Sequence, residues 1–449
     1  SFIYNRLTTS LGGEADYDTK LSAACTNDAD AASMLVKLDL EDAAKQAKLN
    51  EIYADIKNRV DHNLGSISAE NVQKLYGECL RLSASQIDKY GDCKLLYFLR
   101  YGLHVEERKT VSVDPAEFGT YVHFVLENLA RDVVELGGFR QVTVQQAISI
   151  AKKHSDAYAN ERFSQLDSQR LAYLFRRNEQ EVLLIVEELW AELQNSAFQP
   201  VDFEVGFGQN EKMPPISIPG GKIPAFMRGF VDRVDAWTEN GRSYFRVVDY
   251  KTGKKDFDYC DVFNGIGLQM LLYMFALEQE GSDGIAPGAR SAGVQYFPAR
   301  VPVVNADNIL TAEEAAELRV KEWKRKGLLL NDDDVLQAMD ATDRKARLCC
   351  SVNKDGDLTG DIATRTQFAQ LREYVFILLK NMVDSIASGD VEANPYTRGS
   401  AHNPCVYCPY GAICHPNDVP GRRNYKAMNS KEFWNAIGEE LNTNGRKAD

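Results

Sequence analysis

An α/β domain is what the sequence predicts, and three stretches predict it. They are a strand pattern at Val201–Phe207, a hairpin turning at Asn240-Gly241, and a helix from about Val262 to Glu278 followed by the short strand Val294–Phe297. Asn-Gly between apolar runs suits the type I′ turn of a two-residue hairpin. That turn sets Asp232 opposite Asp249 and puts Lys251, two residues on, on the same face. Phe230, Val234, Phe245 and Val247 share this face as its apolar part. Asp235 falls on the other face opposite Arg246, where a surface ion pair worth about 0–1 kcal/mol accounts for it. Two carboxylates roughly 5 Å apart repel each other, and a divalent cation between them removes the conflict. An Asp-x-Lys triplet alone arises by chance in a chain of this length; its coincidence with a strand, a turn and a facing Asp is what carries the reading.

The remaining elements are mostly helical. Residues 14 to about 80 are polar, with helical stretches at Asp39–Val60 and Ala69–Leu82. Ser83-Ala84-Ser85 caps a helix running toward Tyr101, and Asp114-Pro115 precedes another that places His123 and Glu127 four apart on one face. A lone His in such a place is ordinarily a structural residue. Helical pattern runs from Val144 to Asn195 with an interruption near Asp167, and a Pro/Gly-rich turn covers Met213–Pro224. In the helix after the hairpin, Gln269 and Tyr273 share a face, which surface polarity would also explain. Residues 299–365 are charged and irregular, with one helix near Ala312–Lys326, and read as an insertion. Phe368–Ser388 is amphipathic, and Gly389–Pro420 is loop-rich.

At 449 residues the chain is too long for one ordinary core. Its 44% apolar and 26% charged content fits a globular chain with no run of about 18 apolar residues to span a membrane. It opens on Ser1-Phe2-Ile3 without a signal peptide, as expected of a piece of something longer. A net charge of −13 argues against a protein that simply coats phosphates, yet a catalytic groove needs only local positive potential, which Lys251, Lys254 and Lys255 supply. No Gly-x-x-x-x-Gly-Lys-Ser/Thr loop occurs, so no ATP site is evident.

Cys405-Val406-Tyr407-Cys408 followed by Cys414 places three thiols close together near the C-terminus. That spacing implies a metal and calls for a fourth ligand. His415 is adjacent and would complete a zinc site; Cys93 is distant but is the alternative, and these residues alone do not choose. Cys25, Cys79, Cys260, Cys349 and Cys350 read as ordinary thiols.

Gly229-Phe230-Val231-Asp232, Asp249-Tyr250-Lys251 and Gln269 through Tyr273, in the order helix, strand, hairpin, helix, strand, resemble the PD-(D/E)XK nuclease superfamily of the RecB type. Gly119-Thr120-Tyr121-Val122-His123 matches the histidine helix of that type. One cysteine before the core and three after it resemble the iron–sulfur nucleases of AddAB-type bacterial helicase–nucleases, with Tyr97–Leu103 and Gly327–Leu330 in keeping. The resemblance implies a restriction-endonuclease-like mixed sheet flanked by helices. It divides the chain into a helical lead-in (1–82) that trails a missing helicase-like region, a nuclease domain (83–425) with its core at about 201–298 and its cysteine-rich end at 389–420, and a C-terminal tail (426–449).

The same resemblance assigns roles. His123, Asp232, Asp249 and the Tyr250 carbonyl would hold Mg²⁺ or Mn²⁺. Lys251 would activate water, Gln269 and Tyr273 would position the strand, and Glu127 and Glu204 would stand behind the ligands. Cys93, Cys405, Cys408 and Cys414 would hold a [4Fe–4S] cluster that staples the two ends of the domain. The implied activity is cleavage of single-stranded DNA, the 5′-terminated strand, beside the helicase-bearing A-type partner of a helicase–nuclease in the bacterial cytoplasm. A catalytically inactive scaffold and a stand-alone iron–sulfur exonuclease are the other readings.

Overall fold

The computed structural model describes residues 65–106, 115–163, 169–280, 288–303, 310–342, 347–354, 356–399, 401–414 and 421–448. The helix expected at Asp39–Val60, Cys25 and His415 lie outside them. The described residues from Ile67 onward form one compact unit.

The chain enters through α1 (Ala69–Tyr76). Leu80–Leu82, expected to end that helix, instead belongs to strand β1 (Leu80–Ser83), parallel to a strand of the central sheet. Gly77, at φ 73°, ends the helix, and Leu80 and Leu82 then alternate into the core as a strand's residues do. Ser83 caps α2 (Ala84–Asp92) in a capping box with Gln86, as expected. Cys93 breaks the helix with extended backbone before α3 (Lys94–Tyr97) and a π-helical turn at Phe98–Gly102. Three long helices follow: α4 (Pro115–Glu135), α5 (Val144–Phe163) and α6 (Gln169–Gln194).

The sheet strands come next: β2 (Gln199–Phe207), β3 (Ile216–Ser217), β4 (Ala225–Glu239) and β5 (Arg242–Lys251). Asn240 and Gly241, at φ 53° and 74°, make the tight turn between β4 and β5. Asp235 pairs with Arg246 and Val234 with Val247, the register the turn predicts. The helix expected over Val262–Glu278 is two helices, α7 (Tyr259–Phe263) and α8 (Gln269–Glu280). Gly265 and Gly267, at φ 84° and 74°, cannot continue a right-handed helix and re-aim the chain between them.

After β6 (Arg290–Pro298), the supposed insertion holds α9 (Ala312–Glu322), β7 (Lys326–Leu330), α10 (Asp333–Met339), a small hairpin β8 (Cys350–Val352) and β9 (Leu358–Gly360), and β10 (Ile362–Ala363). Both β7 and β10 belong to the central sheet, whose order is β1-β4-β5-β6-β7-β10 with β2 and β3 also on β4. Leu328, Leu329 and Leu330 are all buried; a three-residue apolar run is too short to declare itself a strand by period. Helix α11 (Arg365–Ala387), the short pair β11 (Tyr396–Thr397) and β12 (Arg423–Asn424) flanking α12 (Gly411–Cys414), and α13 (Ser430–Ala448) complete the chain. Parallel and antiparallel pairs mix in the sheet. One core, with Val247, Phe245 and Val234, lies against α8 and α11, and the other, with Val248 and Tyr250, lies against α4–α6. Among the described residues no helix is long and apolar enough to cross a membrane.

Candidate active site and cysteine cavity

The central strands β4 and β5 carry the acidic residues to one end of the sheet. Their ladder runs to Arg233–Val248 and stops one pair short of Asp232–Asp249. There the Asp232 carboxylate accepts the Tyr250 N–H at 2.6 Å. Helix α4 brings in His123, whose Nε2 is 2.9 Å from the Tyr250 carbonyl oxygen and whose Nδ1 is 3.5 Å from Asp232 Oδ2. Both backbone groups of Tyr250 are therefore engaged by site side chains, and the carbonyl foreseen as a metal ligand faces the imidazole.

Glu204 is more central than expected. It lies on β2 between the pairs Phe203–Arg233 and Val205–Val231, which places it opposite Asp232, and at φ 47° it steps out of the ladder. That left-handed backbone is uncommon for a side chain this large. His123, Glu204 and Asp232 bring their ligand atoms within 4.8 Å of one another, the one such set among the described residues. Asp249 stands apart, its Oδ2 2.5 Å from Lys251 Nζ. Glu127 is held by Arg131, whose Nε donates to it at 3.0 Å.

Burial and the charge of Asp249 push Asp232 up to about 6, against the pull of His123, the Tyr250 N–H and Lys251. Burial, with Asp232 and Glu127 nearby, pushes Glu204 up to about 7. In both carboxylates burial and like charge outweigh the nearby cationic groups, and a divalent cation among hard oxygens and an imidazole would restore the balance. The donor set fits.

Tyr273 on α8 is buried and stacks on Phe207 at 5.3 Å. Burial pushes its phenol up to about 12, so it serves as a neutral hydrogen-bond group, in contact with Gln269 and with the backbone of Phe230. Gln269 is the first residue of α8 and half-buried. Phe230 is 49% exposed, not part of the apolar face, because β4 there lies beyond the end of the β4–β5 ladder. Lys254 is exposed, with Nζ 3.8 Å from Asp256, and Lys255 is half-buried with its ammonium over the Tyr296 ring.

The other face of the hairpin differs most from expectation. Asp235 is fully buried, not a surface residue. Its Oδ2 accepts from Arg233 at 3.0 Å and from Arg246 at 2.8 Å, and both arginines also donate to Glu192 on α6. Arg325, which is contributed by the supposed insertion, donates to Glu192 and Glu188. Burial alone would raise Glu192, but the guanidiniums of Arg325, Arg246 and Arg233 hold it well below the ordinary carboxylate range. Arg233 also donates to the Tyr250 hydroxyl at 3.1 Å, so this network braces the residue whose backbone holds the site. Hairpin register placed Asp235 correctly; only the long-range packing of α6 shows that its face is inside.

A profile of the PD-(D/E)XK nuclease superfamily matches residues 81–415. The chain belongs to the PD-(D/E)XK nuclease superfamily. Enzymes of this superfamily use divalent metal ions, and His123, Glu204 and Asp232 are a candidate ligand set for one in this chain. The chain is also 32% identical over 416 residues to the B chain of the ATP-dependent helicase/deoxyribonuclease of Clostridium acetobutylicum, covering 89% of this chain and 35% of that one. The protein of the same name from Acetivibrio thermocellus is 33% identical, covering 83% and 34%, and that of Moorella thermoacetica 32%, covering 84% and 33%. The chain thus spans about a third of the length of these curated relatives.

Cys93, Cys405, Cys408 and Cys414 line one small cavity with Leu95, Leu96, Leu99, Pro395 and Tyr410. No three of the four sulfurs lie mutually within 4.8 Å. Burial and neighbouring thiols push Cys405, Cys408 and Cys414 up, and Arg422 opposes this at Cys405. Four thiols lining one apolar cavity are a donor set that would suit a thiolate-bound metal centre.

Proposed function

We propose that this chain is the nuclease domain of the B-type component of a helicase–nuclease, hydrolysing phosphodiesters of single-stranded DNA as double-strand ends are processed, beside a helicase-bearing A-type partner in the bacterial cytoplasm. The convergence of His123, Glu204 and Asp232 next to the Asp249–Lys251 pair carries this reading. His123, Asp232, Asp249, Glu204 and the Tyr250 carbonyl would hold Mg²⁺ or Mn²⁺ between them. Bound there, the cation would neutralise phosphate oxygens and lower the pKa of water.

Lys251 stands next to the carboxylates with its ammonium free to swing from Asp249 to a phosphate oxygen, where it would stabilise developing charge and orient the attacking water. Tyr273 and Gln269, fixed at the start of α8, would hold the strand by neutral hydrogen bonds. Glu127 keeps Arg131 turned toward β2 and adds negative charge behind Glu204. The relatives' name carries the substrate class, and the resemblance to their family carries the choice of the 5′-terminated strand. Cys93, Cys405, Cys408 and Cys414 would hold a [4Fe–4S] cluster away from the hydrolytic chemistry.

Asp232→Ala, Asp249→Ala and Lys251→Ala each test the site. Each purified variant is expected to lose Mg²⁺-dependent cleavage of single-stranded DNA by at least about a hundredfold while keeping its circular dichroism spectrum. Cutting at the parent's rate by any of them overturns the assignment.

A further inference from the structure

Cys93 sits between two helices, with φ −171° and ψ 130°, and the residues on either side of it are tied to the far C-terminal segment by polar contacts. Arg423 donates to the Gly91 carbonyl at 2.6 Å, and the Lys94 N–H donates to Asn394 Oδ1 at 2.9 Å. Between them His402 Nε2 lies 2.9 Å from Asp92 Oδ1, across 310 positions of sequence, while Lys89 donates to the other Asp92 oxygen at 2.8 Å. The Asp92 side chain is 7% exposed and that of His402 24%, so this pair is sheltered from water. His402 is itself fixed. Its carbonyl accepts the Arg398 N–H at 2.7 Å, and its ring meets the Tyr396 ring edge-on at 5.0 Å. The next residue, Asn403, accepts the Cys405 N–H on its side chain and starts the turn that carries Cys405 and Cys408.

We infer that Asp92 and His402 form a clasp that positions Cys93 against the Cys405–Cys414 turn, so that the polypeptide assembles the split thiol set before any cluster binds. The inference rests on the reading of the four cysteines as cluster ligands. It reverses the expectation that the cluster itself staples the two ends together. The ties at Gly91, Asp92 and Lys94 are made by residues other than the thiols, and they close the same loop. A sheltered hydrogen bond to a carboxylate is among the stronger single contacts a protein makes.

The full chain is tested in metal-free, reduced form. Maleimide alkylation of Cys93 is followed by peptide mass spectrometry in the parent, His402→Leu and His402→Gln, and each protein is then reconstituted anaerobically with iron and sulfide. His402→Leu is expected to alkylate Cys93 about tenfold faster and to take up iron more slowly, with helix content unchanged. His402→Gln can still donate to Asp92 and is expected to stay near the parent. A His402→Leu protein that alkylates and loads like the parent overturns the clasp, as does a His402→Gln protein impaired equally with it. If the parent binds no iron while His402→Leu still bares Cys93, the clasp stands and the cluster reading falls.

Discussion

Gly229 has no room for a side chain. A Cβ built there would lie 1.9 Å from the Tyr273 hydroxyl oxygen, so the glycine that opens Gly229-Phe230-Val231-Asp232 is explained by the phenol packed over it, without special backbone freedom. Gly229→Ala must therefore displace Tyr273, which Phe207 holds by stacking. The expected cost is about 1–3 kcal/mol in urea unfolding, the range for overpacking a dense site. Cleavage should fall with it, and Tyr273→Phe in the Gly229→Ala background should restore part of the stability by removing the clashing oxygen. A Gly229→Ala protein as stable and active as the parent would show that the phenol has space to retreat. Glu204 shows the opposite limit of sequence reading. It was legible as an acidic residue in a strand, but its place among the ligands depends on a left-handed backbone at that residue, which no period reveals.

At the level of elements, the β4–β5 hairpin was legible because a two-residue turn fixes every pair beyond it, and the observed pairs follow. What the hairpin could not show is what covers its second face. Helix α6 does, and Glu188 and Glu192 on it meet arginines from β4, β5 and the segment before β7. The segment 299–365 looked like an insertion because its charges are conspicuous and its apolar run is short, whereas Arg325 belongs to this network and Leu329 to the core. Asp235→Asn leaves Arg233 and Arg246 sharing one carboxylate fewer in a place that water does not reach. Urea unfolding is expected to show a loss of about 3–5 kcal/mol, well beyond the 0–1 kcal/mol of an exposed pair. A loss below about 1 kcal/mol would mean that the network tolerates the missing charge and that Glu192 suffices as its anion. Tyr250→Phe removes only the bond from Arg233 to the phenol; it is expected to cost about 1 kcal/mol and to weaken Mn²⁺ binding, read by calorimetry, through the loosened backbone beneath His123 and Asp232.

For the molecule as a whole, the unpaired charge at the site makes stability, pH and metal one linked quantity. Glu204 is raised from 4.5 to about 7, first by burial and then by Asp232, and Asp232 from 3.8 to about 6, first by burial and then by Asp249. A carboxylate raised on folding favours the folded state fully below its unfolded value and loses that contribution as pH rises through the folded value. The metal-free protein should therefore lose stability between about pH 4 and 7 through these two groups. A cation that takes their place as the stabilising partner must displace the same protons, so its affinity should rise roughly tenfold per pH unit for each proton released. Other groups titrate in this range, and comparison with Glu204→Gln isolates the effect. Thermal melts in chelator are expected to fall more steeply with pH for the parent than for Glu204→Gln. Added Mg²⁺ should raise the parent's Tm more at pH 8 than at pH 5. Parallel pH slopes for the two proteins, or a Mg²⁺ effect that is the same at both pH values, would show that Glu204 is already ionised and paired without the metal and would remove it from the ligand set.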